Sequence, residues 1–463
     1  MKRIGILTAG GDTPALNATL YGAVRRACEK NVEMIGLMSG FDSLFNPRVP
    51  HVVLNPLMQV IPELDPNYGG SILGSSRKYV NADDSQALDE VASKLRKLRI
   101  DGLVCIGGDG TLNGLQPLSE RIPTVLAPKT IDNDLGLNYP NEPDKYIRES
   151  TGPGEDDFKY RVVESLSHGI GDFKLDEMVN YVTPGYATAV FVSVGGVRRI
   201  RTTAESHRRI AIIEVMGRNS GSIALGNAYG QPDVILVPES PVKIPLLVDR
   251  VREIYRLQQN VVIICGEGIV DESGNVMADK QHSTDPAGNV RLSGAAEALR
   301  TILSNELGES FFRGMGLGDE ASSAIFTRKV GHTQRGGRPI LFDRFYGAQL
   351  GGHAVDMLLD GDTNCVATLK WSSENGFVVQ SYPGQGFRDK WGLIHARNLH
   401  PSFYDPQRLH ISTTGIRYLL PIFTKAIGGD DVEFIRESRF DSGNLFRRYH
   451  SINTDMQKRT RYL

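Results

Sequence analysis

The chain has 463 residues, 40% of them hydrophobic, with 50 glycines and a formal net charge of −2 at pH 7. This length exceeds what one hydrophobic core accommodates, so two or more lobes are expected. The balanced charge argues against a general nucleic-acid or membrane-surface binder. A cytoplasmic protein with reduced thiols is predicted, because the four cysteines are scattered without a CxxC pair and the sequence shows neither a signal peptide nor an apolar run long enough to span a bilayer.

Short apolar runs alternate with amphipathic stretches over the first 130 residues. Helices are predicted at about 15–30, at Ala87–Leu98 and from Asn113, and strands at Ile4–Leu7, Val32–Leu37, Gly102–Ile106 and Thr124–Ala127. This βαβα order predicts a doubly wound parallel sheet with functional loops at the carboxyl ends of its strands.

The rhythm breaks at residues 137–179, which are polar and rich in proline. It resumes with a predicted helix at about 186–202 and strands at Ile210–Val215, Val234–Val237 and Val261–Cys265. A polar stretch at 271–291 is expected to leave the core. The last sixty or so residues are rich in arginine and aromatic side chains, and we interpret them as a C-terminal extension or an interface element.

Two glycine motifs follow predicted strands. The first, Gly10 to Pro14, is typical of an anion site at a helix N-terminus, although a tight turn would use the same residues. In the second, Gly107-Gly108-Asp109-Gly110-Thr111, Asp109 can bind Mg²⁺, and Thr111 and the backbone amides can bind phosphate. The second motif indicates a kinase.

Two carboxylates and a lysine crowd the end of the next predicted strand. Lys129 precedes Thr130-Ile131-Asp132-Asn133-Asp134. One carboxylate can take the proton of a sugar hydroxyl while the other supports a metal, although an Asx-rich turn would use the same residues. The position at a strand end favours a functional site.

Further charged residues lie on segments bounded by glycine. A cation at such a place can bind the negative charge of a phosphoryl group. A single charged residue on a turn would ordinarily be interpreted as a surface side chain without such a role. These candidates are Arg77, Arg218, Glu267, His332 and Arg335.

Taken in order, these motifs resemble the phosphofructokinase family. They are GGDTPALN, GGSILGSSR, GGDGT, PKTIDND, EVMGR, GEG and GHTQRGG followed by RP and FDR, and they span Gly10 to Arg344. NAD kinases and lipid kinases share GGDGT but are not expected to carry the rest. The resemblance implies an α/β, two-lobed phosphofructokinase-like fold with doubly wound, mostly parallel sheets and the active site in the cleft between the lobes.

The resemblance also implies a division of the chain. Residues 1–136 plus about 336–400 are expected to form the phosphoryl-donor lobe and 181–335 the sugar-phosphate lobe. Residues 137–180 are expected to be an insertion and 401–463 a C-terminal extension. In the family some phosphate ligands come from a neighbouring subunit, so a homodimer or homotetramer with shared active sites is expected.

Roles for single residues follow from the same resemblance. Asp132 is expected to be the catalytic base, and Asp109, supported by Asp134, the Mg²⁺ ligand. The catalytic group is Asp132, Arg77, Arg218, Thr130 and Lys129. The donor-binding residues are Gly11, Arg77, Gly108, Asp109, Gly110, Thr111 and Gly114. The sugar-phosphate ligands are Thr130, Asp132, Arg209, Met216, Gly217, Arg218, Glu267, Arg328, His332 and Arg335.

The implied activity is Mg²⁺-dependent phosphoryl transfer from ATP to the 1-hydroxyl of fructose 6-phosphate. Many pyrophosphate-dependent members carry an aspartate where this chain has Gly110, and Gly114 is expected to leave further room for a nucleotide. Lys129 is the residue that pyrophosphate enzymes use, so pyrophosphate is the first alternative donor. The acceptor could also be a different phosphorylated sugar or polyol, and a non-catalytic family member is less expected.

The chain departs from the family at several positions. Phe326 replaces an arginine that binds the 6-phosphate, a loss of about 1.5–3 kcal/mol that Arg328 can offset. Asn219 and Ser220 differ near the sugar, and Tyr21 replaces one arginine of the bacterial effector site, which argues against regulation of that style. The insertion is interpreted either as a lid over the acceptor pocket or as a surface excursion.

Overall fold

The structure is a computed structural model that describes residues 1–463 except 77, 79, 81–83, 151–157, 163–172, 278, 285–289, 439–440 and 448. The helices in this part of the chain are α1 (Leu16–Glu29), α2 (Phe41–Phe45), α3 (Ser85–Lys97), α4 (Asp109–Ser119), α5 (Tyr186–Ser206), α6 (Ser222–Gly226), α7 (Ile244–Gln258), α8 (Ala295–Gly314), α9 (Leu341–Asp360), α10 (Thr413–Phe423), α11 (Gly429–Ser438) and α12 (Ile452–Arg459).

The strands are β1 (Arg3–Thr8), β2 (Glu33–Leu37), β3 (His51–Val53), β4 (Gly102–Gly107), β5 (Thr124–Pro128), β6 (Tyr146–Ser150), β7 (Phe158–Val162), β8 (Ile210–Val215), β9 (Val234–Leu236), β10 (Val261–Gly266), β11 (Asp279–Thr284), β12 (Val290–Ser293), β13 (Ile325–Lys329), β14 (Cys365–Ser372), β15 (Gly376–Pro383), β16 (Tyr404–Asp405) and β17 (His410–Ile411).

Two open sheets organise the fold. Within the described residues the larger has seven strands in the order β15-β14-β5-β4-β1-β2-β3, and the smaller has four in the order β13-β8-β10-β9. Pairing is parallel throughout the smaller sheet and in the larger one from β14 to β2, and only the outermost strands β15 and β3 are antiparallel. The predicted α/β fold with mostly parallel sheets is confirmed.

Apolar residues on the two faces of each strand belong to different cores. Ile4 and Ile6 of β1 belong to a central core that also holds Ile213 of β8. Leu7 lies on the other face of β1 with residues of α3 and α4. Ile212 lies in a third core beneath α7 and α8. The central core therefore joins the two sheets, and the carboxyl ends of their strands can face one another.

The insertion leaves and rejoins the sheet region at one place. Leu137 and Val179 form an antiparallel bridge at its base, and β6 and β7 form a hairpin within it. His395 stacks on Tyr146 of this hairpin with ring centroids 3.8 Å apart, and it also pairs with Asp389 over 2.7 Å. The insertion therefore packs on the chain that follows β15.

The C-terminal residues contact the rest of the molecule at β3 and at α9. Two hydrogen bonds between the main chains of Arg461 and His51, at 2.8 and 3.0 Å, extend the larger sheet beyond β3. At the N-terminus of α11, Asp431 is buried and bound by Arg344 over 2.9 Å. Among the described residues, no helix has the length and apolar character needed to cross a bilayer.

Candidate active site

The loops that follow β1, β4 and β5 meet at one edge of the larger sheet. The Lys129 N–H donates to the Gly107 carbonyl over 2.9 Å, and the Ala9 N–H donates to that of Ile106 over 2.9 Å. A Cβ atom on Gly107 would lie 1.9 Å from Thr111 Oγ1, so only glycine allows this approach. These three loops form the first half of the candidate site.

The second glycine motif forms the N-terminus of α4. The prediction that this helix starts near Asn113 is wrong, because Asp109 is its first residue and Gly108 its N-cap. The positive end of the helix therefore lies at the motif itself, where an anion is favoured. A Cβ atom placed on Gly110 would meet no atom of the described chain within 4 Å.

Gly114 lies one turn further along α4. A Cβ atom there would lie 3.2 Å from Val80 and 3.3 Å from Phe41. These apolar side chains pack beside the glycine in the direction of the Cβ, and the expectation that Gly114 leaves room for a nucleotide stays a prediction. At Gly110, by contrast, no atom of the described residues occupies the corresponding space.

Lys129 is buried and ties the loop after β5 to the first glycine loop. Its Nζ donates a hydrogen bond to the Gly11 carbonyl. Burial raises the pKa of Asp12 in the same loop, and the positive charges of Lys129 and Arg335 act in the opposite direction. The lysine thus supplies positive charge beside the loop that is predicted to bind the donor.

The loop from Thr130 to Asp134 is a tight turn held by its own side chains. Thr130 Oγ1 accepts from the Asp132 N–H over 3.0 Å and donates to Asp134 Oδ1 over 3.1 Å. Asn133 has a φ of +54°, in the left-handed region that asparagine tolerates. This turn holds both carboxylates at the cleft, and Asp132 remains 24% exposed.

The carboxylates of this loop are held close to one another and to Asp109. Burial raises the pKa of Asp132; Arg335, Arg218 and Lys129 oppose that rise, and Asp109 adds to it. Burial together with Asp109 and Asp132 raises the pKa of Asp134 to about 8. Positive charge is needed here for every carboxylate to be ionised at neutral pH.

The acidic residues fit a magnesium ion held in part by substrate. Mg²⁺ commonly binds through one or two carboxylates together with substrate phosphates. Asp109 and Asp134 are hard oxygen ligands whose mutual repulsion a cation would relieve. Within the described residues, no group of three or more acidic, histidine or cysteine side chains is arranged to hold a metal without other ligands.

The ends of β8, β10 and β13 form the second half of the site. The Met216 N–H donates to Gln334 Oε1 over 3.0 Å, which joins the loop after β8 to the one after β13. Arg335 Nη2 lies 4.0 Å from Asp132 Oδ2, and its Nη1 donates to the Asp12 carbonyl over 3.4 Å. Arg335, which follows a strand of the smaller sheet, therefore contacts two loops of the larger sheet.

Arg218 and Glu267 lie on touching loops. A Cβ atom on Gly268 would lie 1.9 Å from the Arg218 carbonyl, and Gly217 has a φ of +126°, so glycine is required at both positions. Burial and the negative charge of Asp132 raise the pKa of Glu267. Arg218 acts on both Asp132 and Glu267, which places these three residues in one electrostatic cluster.

Three further predicted ligands, Arg209, Arg328 and His332, lie on or next to strands of the smaller sheet. Arg209 precedes β8 and Met216 follows it, so at about 3.3 Å per residue the two lie about 23 Å apart. His332 is exposed, and Arg328 lies on β13 with its guanidinium 5.5 Å from the Phe326 ring centroid. Arg77 lies outside the described residues.

Comparison with known proteins identifies the family. The sequence model described as "Phosphofructokinase" matches residues 3–138 and 176–358, which is more than half of the chain. The chain belongs to the phosphofructokinase family. It is therefore a phosphotransferase of the class with an alcohol group as acceptor, as the motifs predict.

Curated phosphofructokinases that resemble this chain use both donors. The chain is 31% identical to pyrophosphate–fructose 6-phosphate 1-phosphotransferase of Amycolatopsis methanolica, over 80% of this chain and 90% of the relative. It is 33% identical to ATP-dependent 6-phosphofructokinase 2 of Streptomyces coelicolor, over 80% and 91%. The pyrophosphate-dependent phosphofructokinase structure from Nitrosospira multiformis matches with a TM-score of 0.67, 15% identity and 92% coverage of each chain, which supports the fold.

Several residues that shape the site were missed by sequence reasoning. Gln334 is fully buried and also donates to the Ala189 carbonyl over 3.3 Å, and its place inside GHTQRGG is the signal that could have found it. Arg397 and Tyr418 bind the loop that carries Asp132, from a part of the chain beyond the family match. No pattern in the sequence marks these two residues.

Proposed function

We propose that this phosphofructokinase transfers a phosphoryl group from ATP to the 1-hydroxyl of fructose 6-phosphate, with Mg²⁺, giving fructose 1,6-bisphosphate. The observation that carries the choice of donor is the open space at Gly110. Many pyrophosphate-dependent members of the family are expected to carry an aspartate at this position, whose carboxylate repels a nucleotide. Here Gly110 itself carries no side chain and no described atom fills the space beside it, while the carboxylate of the preceding Asp109 is the proposed Mg²⁺ ligand.

The contacts of Lys129 are compatible with ATP. A lysine at this position neutralises pyrophosphate in enzymes that use it. In this chain the ammonium binds the Gly11 carbonyl, so it also fastens two loops of the donor lobe together. This structural contact gives the lysine a role with either donor.

Asp132 is the proposed general base. Its side chain is partly exposed at the cleft, and its Oδ1 is buried without a hydrogen-bond partner among the described residues. The carboxylate can accept the proton of the sugar 1-hydroxyl as the phosphoryl group arrives. Arg335 and Arg218 favour the ionised form of Asp132, which is the form that accepts a proton.

The positive groups around the cleft are proposed to hold the phosphoryl group. Arg218 lies on the sugar side, and the N-terminus of α4 with the amides near Gly11 lies on the donor side. Preorganised donors of this kind stabilise charge that develops on the transferred oxygens. Asp109 and Asp134 would hold Mg²⁺, which neutralises donor phosphate charge when bound.

Binding of the 6-phosphate is proposed to involve two subunits. Arg335 lies at the site of its own chain, whereas Arg209 lies at the far end of β8. We assign Arg209 to the site of a neighbouring copy in a homo-oligomer, in agreement with the pattern of the family. Arg328 shares a face of β13 with Phe326 and is the proposed replacement for the missing arginine.

The acceptor is tested by identifying the product. Incubation with ATP, Mg²⁺ and a panel of sugar and polyol phosphates should consume fructose 6-phosphate and yield a phosphomonoester at C1 by ³¹P and ¹³C NMR. Phosphorylation of another member of the panel, with fructose 6-phosphate left unchanged, would overturn the proposal for the acceptor.

Pyrophosphate is the second candidate donor. The observation in its favour is the buried Lys129 beside the first glycine loop. A lysine can neutralise either polyphosphate, whereas the space left by the missing side chain at Gly110 favours the larger donor, ATP. The balance of these two positions favours ATP.

A further inference from the structure

The chain between β15 and α10 passes directly beside the catalytic loop. Arg397 is 5% exposed, and its guanidinium donates to the carbonyl of Asn133 over 2.7 Å and to that of Asn180 over 2.6 Å. Its main-chain N–H donates to the Asp134 carbonyl over 2.6 Å. The two residues that follow Asp132 are thus both bound by Arg397.

Tyr418 of α10 binds the same loop from another direction. Its hydroxyl accepts from Asn133 Nδ2 over 2.6 Å and donates to the Tyr181 carbonyl over 3.1 Å. Asn133 has left-handed backbone geometry, which persists where surrounding contacts fix it. Side chains from beyond α9 therefore hold both the main chain and the side chain of Asn133.

The same segment also reaches the sugar side. The Leu399 N–H donates to Glu239 Oε1 over 2.8 Å, and that carboxylate also accepts from the Gly221 N–H over 2.9 Å. Gly221 ends the loop that carries Arg218. Two residues of one segment, Arg397 and Leu399, are thus linked to the loops of the proposed base and of the proposed phosphoryl ligand.

We propose that Arg397 is a positioning residue for phosphoryl transfer. It fixes the main chain next to Asp132 so that this carboxylate meets the sugar hydroxyl. Through Leu399 and Glu239, the segment that contains Arg397 also holds the Asp132 loop in a fixed position relative to the loop that carries Arg218. The expected effect of Arg397 on phosphoryl transfer rests on the proposed function. The hydrogen bonds that Arg397 makes to the loop do not depend on that proposal.

Several variants separate positioning from general stability. Arg397→Met removes both guanidinium hydrogen bonds, and Arg397→Lys keeps the charge but cannot reach both carbonyls as a planar fork does. Retaining charge matters because the cation lies near the buried Glu142 and favours its ionised form. Tyr418→Phe removes only the hydroxyl. Arg388→Met is the matched control, since Arg388 lies in the same segment and binds the carbonyl of Gly392 within its own turn.

The experiment combines kinetics with amide hydrogen exchange. With fructose 6-phosphate, kcat should fall on the order of 100-fold in Arg397→Met, the effect of misplacing a reacting group by about 1 Å. The KM for fructose 6-phosphate should change far less, since the residue does not contact the sugar. Arg397→Lys and Tyr418→Phe should have intermediate kcat values, and Arg388→Met should match the wild type.

Exchange of the peptide at 129–137 supplies a readout that does not need turnover. This peptide should exchange faster in Arg397→Met than in the wild type, and at the wild-type rate in the control Arg388→Met. Peptides of β8 and β10 should keep their protection in both variants. Wild-type exchange of this peptide in Arg397→Met or Arg397→Lys would overturn the inference, and so would a wild-type kcat in a folded Arg397→Met. If the wild type has no turnover, the proposed function fails and the exchange data alone decide the inference.

Discussion

Replacing Asp132 with asparagine isolates the proposed proton transfer. The amide keeps the shape of the carboxylate, and Oδ1 has no hydrogen-bond partner among the described residues, so this oxygen loses no such contact with them. The main-chain hydrogen bond from Asp132 to Thr130 is unaffected. Removing one negative charge also relieves Asp134, whose pKa Asp132 raises, so thermal stability should not decrease.

The expected kinetic effect is large and specific. A positioned general base contributes about 100- to 10,000-fold, so kcat should fall by that factor, which is about 3–5 kcal/mol of barrier. The affinity for fructose 6-phosphate should be retained or increased, because the variant removes a negative charge near a phosphate site. Calorimetric binding measures this affinity, and a coupled assay measures kcat.

The pH profile supplies an independent check. Burial raises the pKa of Asp132, so the wild-type rate should decline on acidification from a pH above the ordinary range of aspartate, and this limb should vanish in the variant. Asp249→Asn, on an exposed residue of α7, is the matched control and should have the wild-type profile. Near-normal kcat in Asp132→Asn would refute the assignment of the base.

Three further predictions concern the donor, the acidic cluster and the 6-phosphate. The Gly110→Asp variant should fold normally, because no described atom obstructs the new side chain, and its kcat/KM for ATP should fall at least about tenfold by charge repulsion. Gln116→Glu adds the same charge elsewhere on this helix and should leave kcat/KM for ATP unchanged. Equal ATP kinetics in both variants would contradict the argument for ATP as the donor. The pKa of Asp134 is about 8, against 3.8 for an ordinary aspartate. Without metal, the contribution of Asp134 to the free energy of unfolding is therefore fully present below about pH 4 and is lost as the pH rises to 8. The free energy of unfolding should fall by up to about 1.4 kcal/mol per pH unit over this range. Thermal melts across this pH range should show the decline, which should be smaller in Asp134→Asn and in the presence of Mg²⁺. The same dependence of Tm on pH in variant and wild type would contradict the raised pKa of Asp134. Arg328→Gln should raise the KM for fructose 6-phosphate about 10- to 100-fold, as expected for a lost charge-assisted hydrogen bond, and Phe326→Arg in that background should restore it; an unchanged KM in Arg328→Gln would remove Arg328 from the site.

Local patterns were sufficient to predict most elements of the two sheets. The helix predicted at about 15–30 is Leu16–Glu29, and the strand predicted at Ile210–Val215 has those bounds. Apolar periodicity is strong there because one face or both faces are buried. At the start of α4 glycine and aspartate obscure the pattern, because the same residues serve as a loop and as a helix N-terminus.

Contacts between distant parts of the chain could not be predicted. Arg397 is one of many arginines in the last third of the sequence, and nothing local shows that it reaches Asn133, 264 positions earlier. The filled space beside Gly114 depends in the same way on the positions of Phe41 and Val80. Motifs indicated which residues gather at the site, whereas the supporting contacts depend on tertiary packing.

The central claim is tested most directly by steady-state turnover of the wild-type chain with fructose 6-phosphate and Mg²⁺, with ATP and pyrophosphate compared side by side. We predict turnover with ATP and a much lower kcat/KM with pyrophosphate. Turnover with pyrophosphate alone would mean that Lys129 outweighs the open space at Gly110. Absence of turnover with both donors would contradict the account as a whole.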